Sequence, residues 1–128
     1  MDFEHGYRAT RQAWIDGVTT FYPGPPKASY ITPWDEMAEW EQAAVKKLFT
    51  HVRAIILPGL KDGIQLSRAH GGYLVCSIWN ALMFELLRDP KPSYVKHFDQ
   101  LDEWQQKTDG KMFEAIEAAA LQELSETH

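Results

Sequence analysis

The chain contains one stretch of sequence twice, as PKASYITPWDEMAEWEQ at residues 26–42 and as PKPSYVKHFDQLDEWQQ at residues 90–106. Eight aligned positions are identical, and each residue of the second copy lies 64 positions after its counterpart, as Tyr94 does after Tyr30. Self-similarity at a fixed offset indicates a repeated structural unit. The sequence therefore predicts a single domain over residues 1–128, made of two repeats at about residues 5–60 and 69–124.

Apolar side chains recur every three or four residues in four segments, which is the pattern of amphipathic helices. It predicts helices at about residues 7–22, 33–57, 73–87 and 101–124. Pro23 and Pro58 are expected to end the first two helices, because proline disfavours a helical conformation in the residue before it. The third helix is apolar on nearly every face, so we expect it to be the most buried.

The links between helices also carry local signals. Thr32, Pro33 and Asp35 are the residue types of a capped helix start, so the second helix is expected to begin there. Residues 27–31, directly before this start, are expected to be extended. Arg68-Ala69-His70-Gly71-Gly72 is interpreted as a loop that ends at the N-terminus of the third helix.

One helical hairpin cannot bury both of its faces, so two hairpins are expected to pack together. The predicted fold class is all-α, with two tandem helical-hairpin repeats, four main helices in total, related by a pseudo-two-fold axis. Trp40 and Trp104 lie on apolar stripes and are expected in the core, whereas Arg11 is assigned to the outer face of the first helix.

Composition excludes several classes of function. The net charge is −5 and no basic run occurs, which disfavours nucleic-acid binding, since phosphate contacts need clustered Lys and Arg. The N-terminus has no signal-peptide pattern, and no apolar run reaches the roughly 20 residues that span a bilayer. The single cysteine, Cys76, is interpreted as a small buried hydrophobe. We expect a cytoplasmic protein that binds neither nucleic acid nor membrane.

Catalytic and metal-binding patterns are missing from the sequence. The five histidines form no pair at i+3 or i+4, and no clustered Cys/His spacing occurs. No nucleophile elbow is present. The carboxylates Asp35 and Asp99 occupy matching repeat positions and are interpreted as helix caps. The prediction is a protein without enzyme activity, metal or cofactor.

Two groups of residues are candidates for ligand binding. The first is the aromatic residues at the loop–helix junctions, because loops on a rigid scaffold commonly carry binding sites. The second is the segment from Arg68 to Tyr73, where a cation, an imidazole and two glycines before a helix N-terminus favour an anion, although the same residues also suit a plain loop. The candidate ligand-binding residues are Tyr30, Trp34, Arg68, His70, Gly71, Gly72, Tyr73, Tyr94 and Phe98.

Residues 30–42, residues 94–106 and Ile78-Trp79-Asn80-Ala81 carry a resemblance to a known family. In this order of elements, from about residue 5 to 122, the chain resembles the RyR-type repeat domain in a small, phage-like standalone form. The resemblance implies a helical module of two similar hairpins. It also implies an association with nucleotide signalling or immunity, and therefore a nucleotide-derived ligand.

The function that this resemblance implies is non-enzymatic binding of a small nucleotide-derived ligand. A phage anti-defence protein that sequesters a host immune signal in the host cytoplasm is one such case. The alternatives are a protein-interaction module that inhibits or adapts a host protein, and a minor virion or assembly component. Self-association as a homo-oligomer is compatible with all three.

Overall fold

A computed structural model describes residues 3–126, which form four long helices. They are α1 (Phe3–Phe21), α2 (Glu39–Lys61), α3 (Arg68–Leu86) and α4 (Glu103–Glu126). The link from α1 to α2 contains two short 3₁₀ turns, Ala28–Ile31 and Trp34–Glu36, and the link from α3 to α4 contains Pro92–Tyr94 and Phe98–Gln100. No strand occurs within the described residues, and the predicted all-α class is confirmed.

Helix α4 is the centre of the packing, because its contacts with α1 and with α3 are the most extensive in the described chain. The core lies mainly between α2, α3 and α4. Its fully buried side chains include Leu48, Phe49, Val52, Phe113 and Ile116.

Two glycines let an aromatic ring of one helix press against the backbone of another. A Cβ atom on Gly6 of α1 would lie 2.3 Å from the Phe49 ring of α2, and one on Gly71 of α3 would lie 2.1 Å from the Phe113 ring of α4. Phe49 and Phe113 are separated by 64 positions and Gly6 and Gly71 by 65. The same close contact therefore occurs once in each predicted repeat.

The repeated stretch also makes the same hydrogen bonds twice. Gln42 Nε2 donates to the carbonyl of Trp34 at 2.7 Å, and Gln106 Nε2 donates to the carbonyl of Phe98 at 2.9 Å. Each bond ties a 3₁₀ turn to the first turn of the α-helix that follows. These local contacts match at the offset seen in the sequence, while the pseudo-two-fold axis that would relate the two halves stays a prediction.

The predicted start of the second helix is wrong. Pro33 precedes the 3₁₀ turn Trp34–Glu36, and α2 begins only at Glu39. Thr32 does not accept a backbone N–H, because its hydroxyl donates back toward the carbonyls of the preceding turn. Asp35 accepts two hydrogen bonds from Arg8 of α1, at 3.0 and 3.3 Å, instead of capping. The expected extended segment 27–31 is largely the 3₁₀ turn Ala28–Ile31.

Pro58 does not end the second helix as predicted, because it lies inside α2. The carbonyl four residues earlier belongs to Ala54, which is exposed, so water can replace the hydrogen bond that proline removes. The helix ends instead at a Schellman motif around Gly63, whose φ is +76°. The N–H of Ile64 donates to the Gly59 carbonyl at 2.8 Å and that of Gly63 to the Leu60 carbonyl at 3.1 Å.

The third helix begins at Arg68 and not at Tyr73, so the predicted loop is helical. Ser67 is the N-cap, and its hydroxyl accepts the N–H of His70 at 3.1 Å. The helix is also not the most buried one, since eight of its 19 residues are exposed, including Phe84, against seven of the 19 residues of α1. Thr127 and His128 of the expected frayed tail lie outside the described residues, whereas Glu126 is still helical.

Gly71→Ala should destabilise the fold by about 1–3 kcal/mol, because the added methyl group overlaps the buried Phe113 ring. Gly59→Ala is the matched control within a helix, since its Cβ atom would meet nothing closer than 3.7 Å. That substitution should be neutral or stabilise by up to about 1 kcal/mol, through the better helix propensity of alanine. Urea unfolding of both variants measures the difference, and equal stabilities would contradict the close contact.

An aromatic cleft as the candidate functional site

A cavity of about 300 Å³ lies among the four helices and the two links, partly open to the surface. Six aromatic side chains line it, and we call this cavity the aromatic cleft. They are Trp14, Tyr30, Trp40, Trp79, Tyr94 and Trp104. The polar side chains in its wall include Arg11, Glu41, Asn80, Gln105 and Asp109.

The six rings form three pairs of matching repeat positions. Tyr30 with Tyr94 and Trp40 with Trp104 are 64 positions apart, and Trp14 with Trp79 are 65 apart. Each predicted repeat therefore contributes the same three ring types to one shared cleft. Four of the five tryptophans of the chain therefore line this cavity.

Arg11 is a buried cationic side chain in the wall of the cleft. It is 7% exposed, and its Nε and Nη2 donate to the carbonyl of Thr32 at 3.1 and 3.0 Å. Burial lowers the pKa of Arg11, while the charge of Glu41 opposes this shift. At the matching position Cys76 Sγ donates to the carbonyl of Lys96 at 3.4 Å. In both halves a side chain of the first or third helix thus anchors the following link through a carbonyl at the matching position, but only Arg11 does so with a charge.

Asp109 is the least expected side chain in the cleft. It is 9% exposed and makes no side-chain hydrogen bond within residues 3–126. Burial raises the pKa of Asp109 to about 8, so the carboxyl group is mostly protonated at neutral pH. Its counterpart in the first repeat is Val45, an apolar residue.

Cys76 is not a reactive thiol. It is 4% exposed, as its interpretation as a small buried residue requires. Burial and the neighbouring charge of Asp109 raise the pKa of the Cys76 thiol to about 12. The thiolate, which is the nucleophilic form, is therefore scarce near neutral pH.

Of the four junction aromatics predicted from the sequence, Tyr30 and Tyr94 line the cleft. Trp34 lies elsewhere, in a separate apolar cluster with Met37 and Val45. Phe98 packs against α3, where its ring faces Gly72 and Tyr73. The cleft is therefore lined by one of the two predicted junction aromatics of each link, and their role as ligand-binding residues stays a prediction.

The predicted anion site from Arg68 to Tyr73 lies in the first turns of α3 and does not line the cleft. Arg68 forms an ion pair with Glu114 of α4 at 3.0 Å, and the N–H of His70 is used by Ser67. Gly71 and Gly72 are buried, because α4 and the side chain of Phe113 pack against them. Tyr73 shares a hydrogen bond of 2.8 Å with His97.

Several cleft residues were not predicted as site residues. Trp40 and Trp104 were assigned to the core, but both are only half-buried and line the cleft. Arg11 was assigned to the outer face of its helix and is buried. The signal for Asp109 was present in the sequence, as an acid on an apolar stripe where the first repeat has Val45.

Comparison of the chain with protein-family models, with curated proteins and with solved structures found no match. The resemblance to the RyR-type repeat therefore stays a prediction. None of the helices within residues 3–126 has the length and apolarity needed to cross a membrane. In the same part of the chain, no group of three or more His, Cys, Asp or Glu side chains is arranged to hold a metal ion.

Asp109→Asn should change how stability depends on pH. The pKa of this carboxyl is raised from 3.8 to about 8 on folding, so the folded state keeps a proton that the unfolded state releases. The contribution of Asp109 to stability is therefore largest below pH 3.8, declines as the pH rises to about 8 and is constant above that. Asparagine removes this decline.

The Tm of Asp109→Asn relative to wild type should accordingly increase between pH 5 and pH 8, as thermal unfolding in a buffer series would measure. Asp89→Asn is the control at an exposed acid and should follow wild type throughout. A Tm difference between Asp109→Asn and wild type that is the same at every pH would show that Asp109 titrates normally.

Proposed function

We propose that this chain is a non-enzymatic binding protein for a small, flat, nucleotide-derived ligand that occupies the aromatic cleft. The observation that carries the proposal is the convergence of six aromatic rings, from matching positions of both repeats, on one cavity of about 300 Å³. This volume is at the lower end of the range for small-molecule sites, which are mainly aromatic and apolar with a few fixed polar groups.

The chemistry of the wall suits a heteroaromatic ring. Stacking of a base on an aromatic side chain contributes about 1–3 kcal/mol and requires only a π-face. Among the polar groups, the Nη1 of Arg11 makes no hydrogen bond within the described residues, so it is available to an oxygen of the ligand. A local cation of this kind reconciles an anionic ligand with the net charge of −5.

Binding rather than catalysis is supported by the state of the nucleophile in the cleft. Cys76 is the one cysteine of the chain, and its thiol has a pKa of about 12. Asp109 could exchange a proton near neutral pH, but no base or nucleophile is hydrogen-bonded to it within residues 3–126.

The resemblance to the RyR-type repeat extends this proposal to a biological setting. On that view the protein is phage-encoded and acts in the host cytoplasm, where it sequesters a nucleotide signal of host immunity. Sequestration requires affinity for the ligand and no chemical turnover. A cleft with many aromatic side chains and no activated nucleophile agrees with this requirement.

A second candidate function is protein interaction, and exposed apolar side chains favour it. Phe84 on α3 is 65% exposed, Ile64 after α2 is 62% exposed and Ile55 on α2 is 53% exposed. If these residues form the functional surface, replacing all three by serine should abolish capture of a host protein by the purified chain. The same replacement should leave ligand binding in the cleft unchanged.

The ligand proposal predicts a saturable change in tryptophan fluorescence together with a higher Tm, when cyclic nucleotides and ADP-ribose derivatives are titrated into the protein. Four of the five tryptophans line the cleft, so a ring stacked there must alter their emission. A ligand at 100 times its Kd stabilises the folded state by about 2.7 kcal/mol, which corresponds to a rise of several degrees in Tm.

Trp34→Phe is the matched control, because Trp34 lies outside the cleft and phenylalanine occupies its repeat position as Phe98. The emission change should persist in this variant. If no compound of the panel changes the emission or the Tm at millimolar concentration, the cleft is not a nucleotide site. If the emission change disappears in Trp34→Phe, binding occurs elsewhere.

A further inference from the structure

The two sets of matching rings in the cleft are packed differently. Trp14, Tyr30 and Trp104 form a closed cluster, with ring centroids 6.3 Å apart for Trp14 and Tyr30, 6.0 Å for Trp14 and Trp104 and 5.8 Å for Tyr30 and Trp104. Tyr22 covers this cluster from behind, 4.9 Å from Trp104. These rings already have aromatic partners.

The counterparts of the closed cluster are Trp79, Tyr94 and Trp40, which we call the open recess. All three line the same cleft, yet none of them makes a ring–ring contact within residues 3–126. The position that matches Tyr22 is Leu87, so the aromatic side chain that backs the closed cluster has no aromatic counterpart here. Three rings that pack on one another in the first set thus do not pack on one another in the second, where Lys91 Nζ lies 5.8 Å from the centroid of the Tyr94 ring and Trp79 packs against the core.

The indole N–H groups of the two matching tryptophans also differ in their hydrogen bonds. In the closed cluster the indole N–H of Trp14 donates to the carbonyl of Tyr30 at 2.8 Å. In the open recess the indole N–H of Trp79 makes no hydrogen bond within the described residues, because the link is anchored instead by Asn80, which donates to the Lys96 carbonyl at 2.9 Å. The recess therefore contains an indole N–H donor that has no partner within the described residues.

Asp109 lines the same cleft as these three rings. Its charge acts on Cys76, which lies one helical turn before Trp79 on α3. The carboxyl group is nine-tenths buried, lines the cleft and has no hydrogen-bond partner within residues 3–126. A protonated carboxyl group both donates and accepts a hydrogen bond, so it fits a ring edge with an amino group beside an acceptor nitrogen.

We propose that the open recess of Trp40, Trp79 and Tyr94 binds the base of the ligand, and that Asp109 recognises a base whose edge carries an amino group beside a ring nitrogen, as adenine and cytosine do. This inference rests on the proposed function, which it makes specific. The closed cluster then serves as a rigid wall.

Other charged or titratable groups in the cleft do not replace Asp109 in this role. They are Arg11 on α1, Glu41 on α2, Cys76 on α3 and Lys96 in the link to α4. Arg11 is a donor only, and the thiol of Cys76 titrates far above neutral pH. Only the burial of Asp109 is a resolved cause of its own raised pKa, so neither Arg11 nor Lys96 shifts it measurably.

The first experiment uses cyclic AMP as the probe, because neither its phosphodiester nor its adenine titrates between about pH 7 and pH 9. Tyr94→Ala and Tyr30→Ala form a matched pair at equivalent positions. Tyr94→Ala should weaken binding at least about tenfold, the equivalent of one stacking contact, whereas Tyr30→Ala should weaken it by less than about threefold. Trp79→Leu should repeat the effect of Tyr94→Ala if Tyr30→Ala fails to fold.

The second experiment varies the base and the pH. Cyclic purine-riboside monophosphate lacks only the amino group and should bind about tenfold or more weakly than cyclic AMP, since a bidentate base contact contributes about 1–3 kcal/mol. The affinity of wild type for cyclic AMP should fall about tenfold from pH 7 to pH 9 as Asp109 ionises. Asp109→Asn keeps a donor and an acceptor, so its affinity should stay constant over that range.

The outcomes separate the two proposals. Equal losses in Tyr94→Ala and Tyr30→Ala, or a larger loss in Tyr30→Ala, would overturn the open recess as the base site while leaving the cleft as a binding site. No preference for the amino group, or a pH dependence that persists in Asp109→Asn, would overturn the role of Asp109. Binding of other nucleotides without binding of cyclic AMP would also overturn the role of Asp109. If no nucleotide of the panel binds, the proposed function itself is overturned.

Discussion

The close approach of a helix backbone to a buried phenylalanine ring is the constraint on which the rest of the structure depends. Gly6 admits the ring of Phe49 and Gly71 admits that of Phe113, at separations where a Cβ atom would overlap the ring. These contacts set how near the helices lie at their N-terminal ends. The links that follow must then cover the space that remains, and each link is fixed by a glutamine bonded to a 3₁₀ carbonyl.

The aromatic cleft lies among the same four helices and the two links between them. Arg11 and Cys76 occupy matching positions but differ in charge. Arg11 donates to the carbonyl of Thr32 and Cys76 donates to the matching carbonyl of Lys96, and only Arg11 is a cation. Under the proposed function, unlike polar groups on matching sets of rings would favour one orientation of the ligand. The rings of the cleft come from matching repeat positions, whereas its polar groups differ between the repeats.

The sequence predicts more of the fold than of the site, and the reasons are physical. Helix periodicity and the repeat are local properties, so the four helices and the all-α class follow from them. The start of α2 depends on a tertiary contact, because Asp35 bonds to Arg8 across 27 positions instead of capping. The close approach of the Phe113 ring to Gly71 is likewise a tertiary contact, although the N-cap Ser67 at the start of α3 is a local signal. Capping and loop rules consider neighbours in sequence and cannot include such partners.

The division between core and cleft was beyond the sequence for a related reason. Trp40 and Trp104 lie on apolar stripes, and a stripe shows which face turns inward but not whether another side chain fills the space opposite it. That depends on the distance between the two halves, which an apolar stripe on one helix does not specify. Tyr30 and Tyr94 were recognised only because their place at a junction is itself local.

Asp109 gives the strongest physical reason to regard the cleft as functional. A buried carboxyl group without a hydrogen-bond partner destabilises the fold, and the pKa of about 8 expresses the part of that cost that comes from losing water. The first repeat provides a comparison for Asp109, because Val45 occupies the matching position with an apolar side chain. The helix geometry therefore does not require an acid there. The proposed ligand would supply a hydrogen-bond partner to this acid and a ring contact to the neighbouring rings that do not pack on one another.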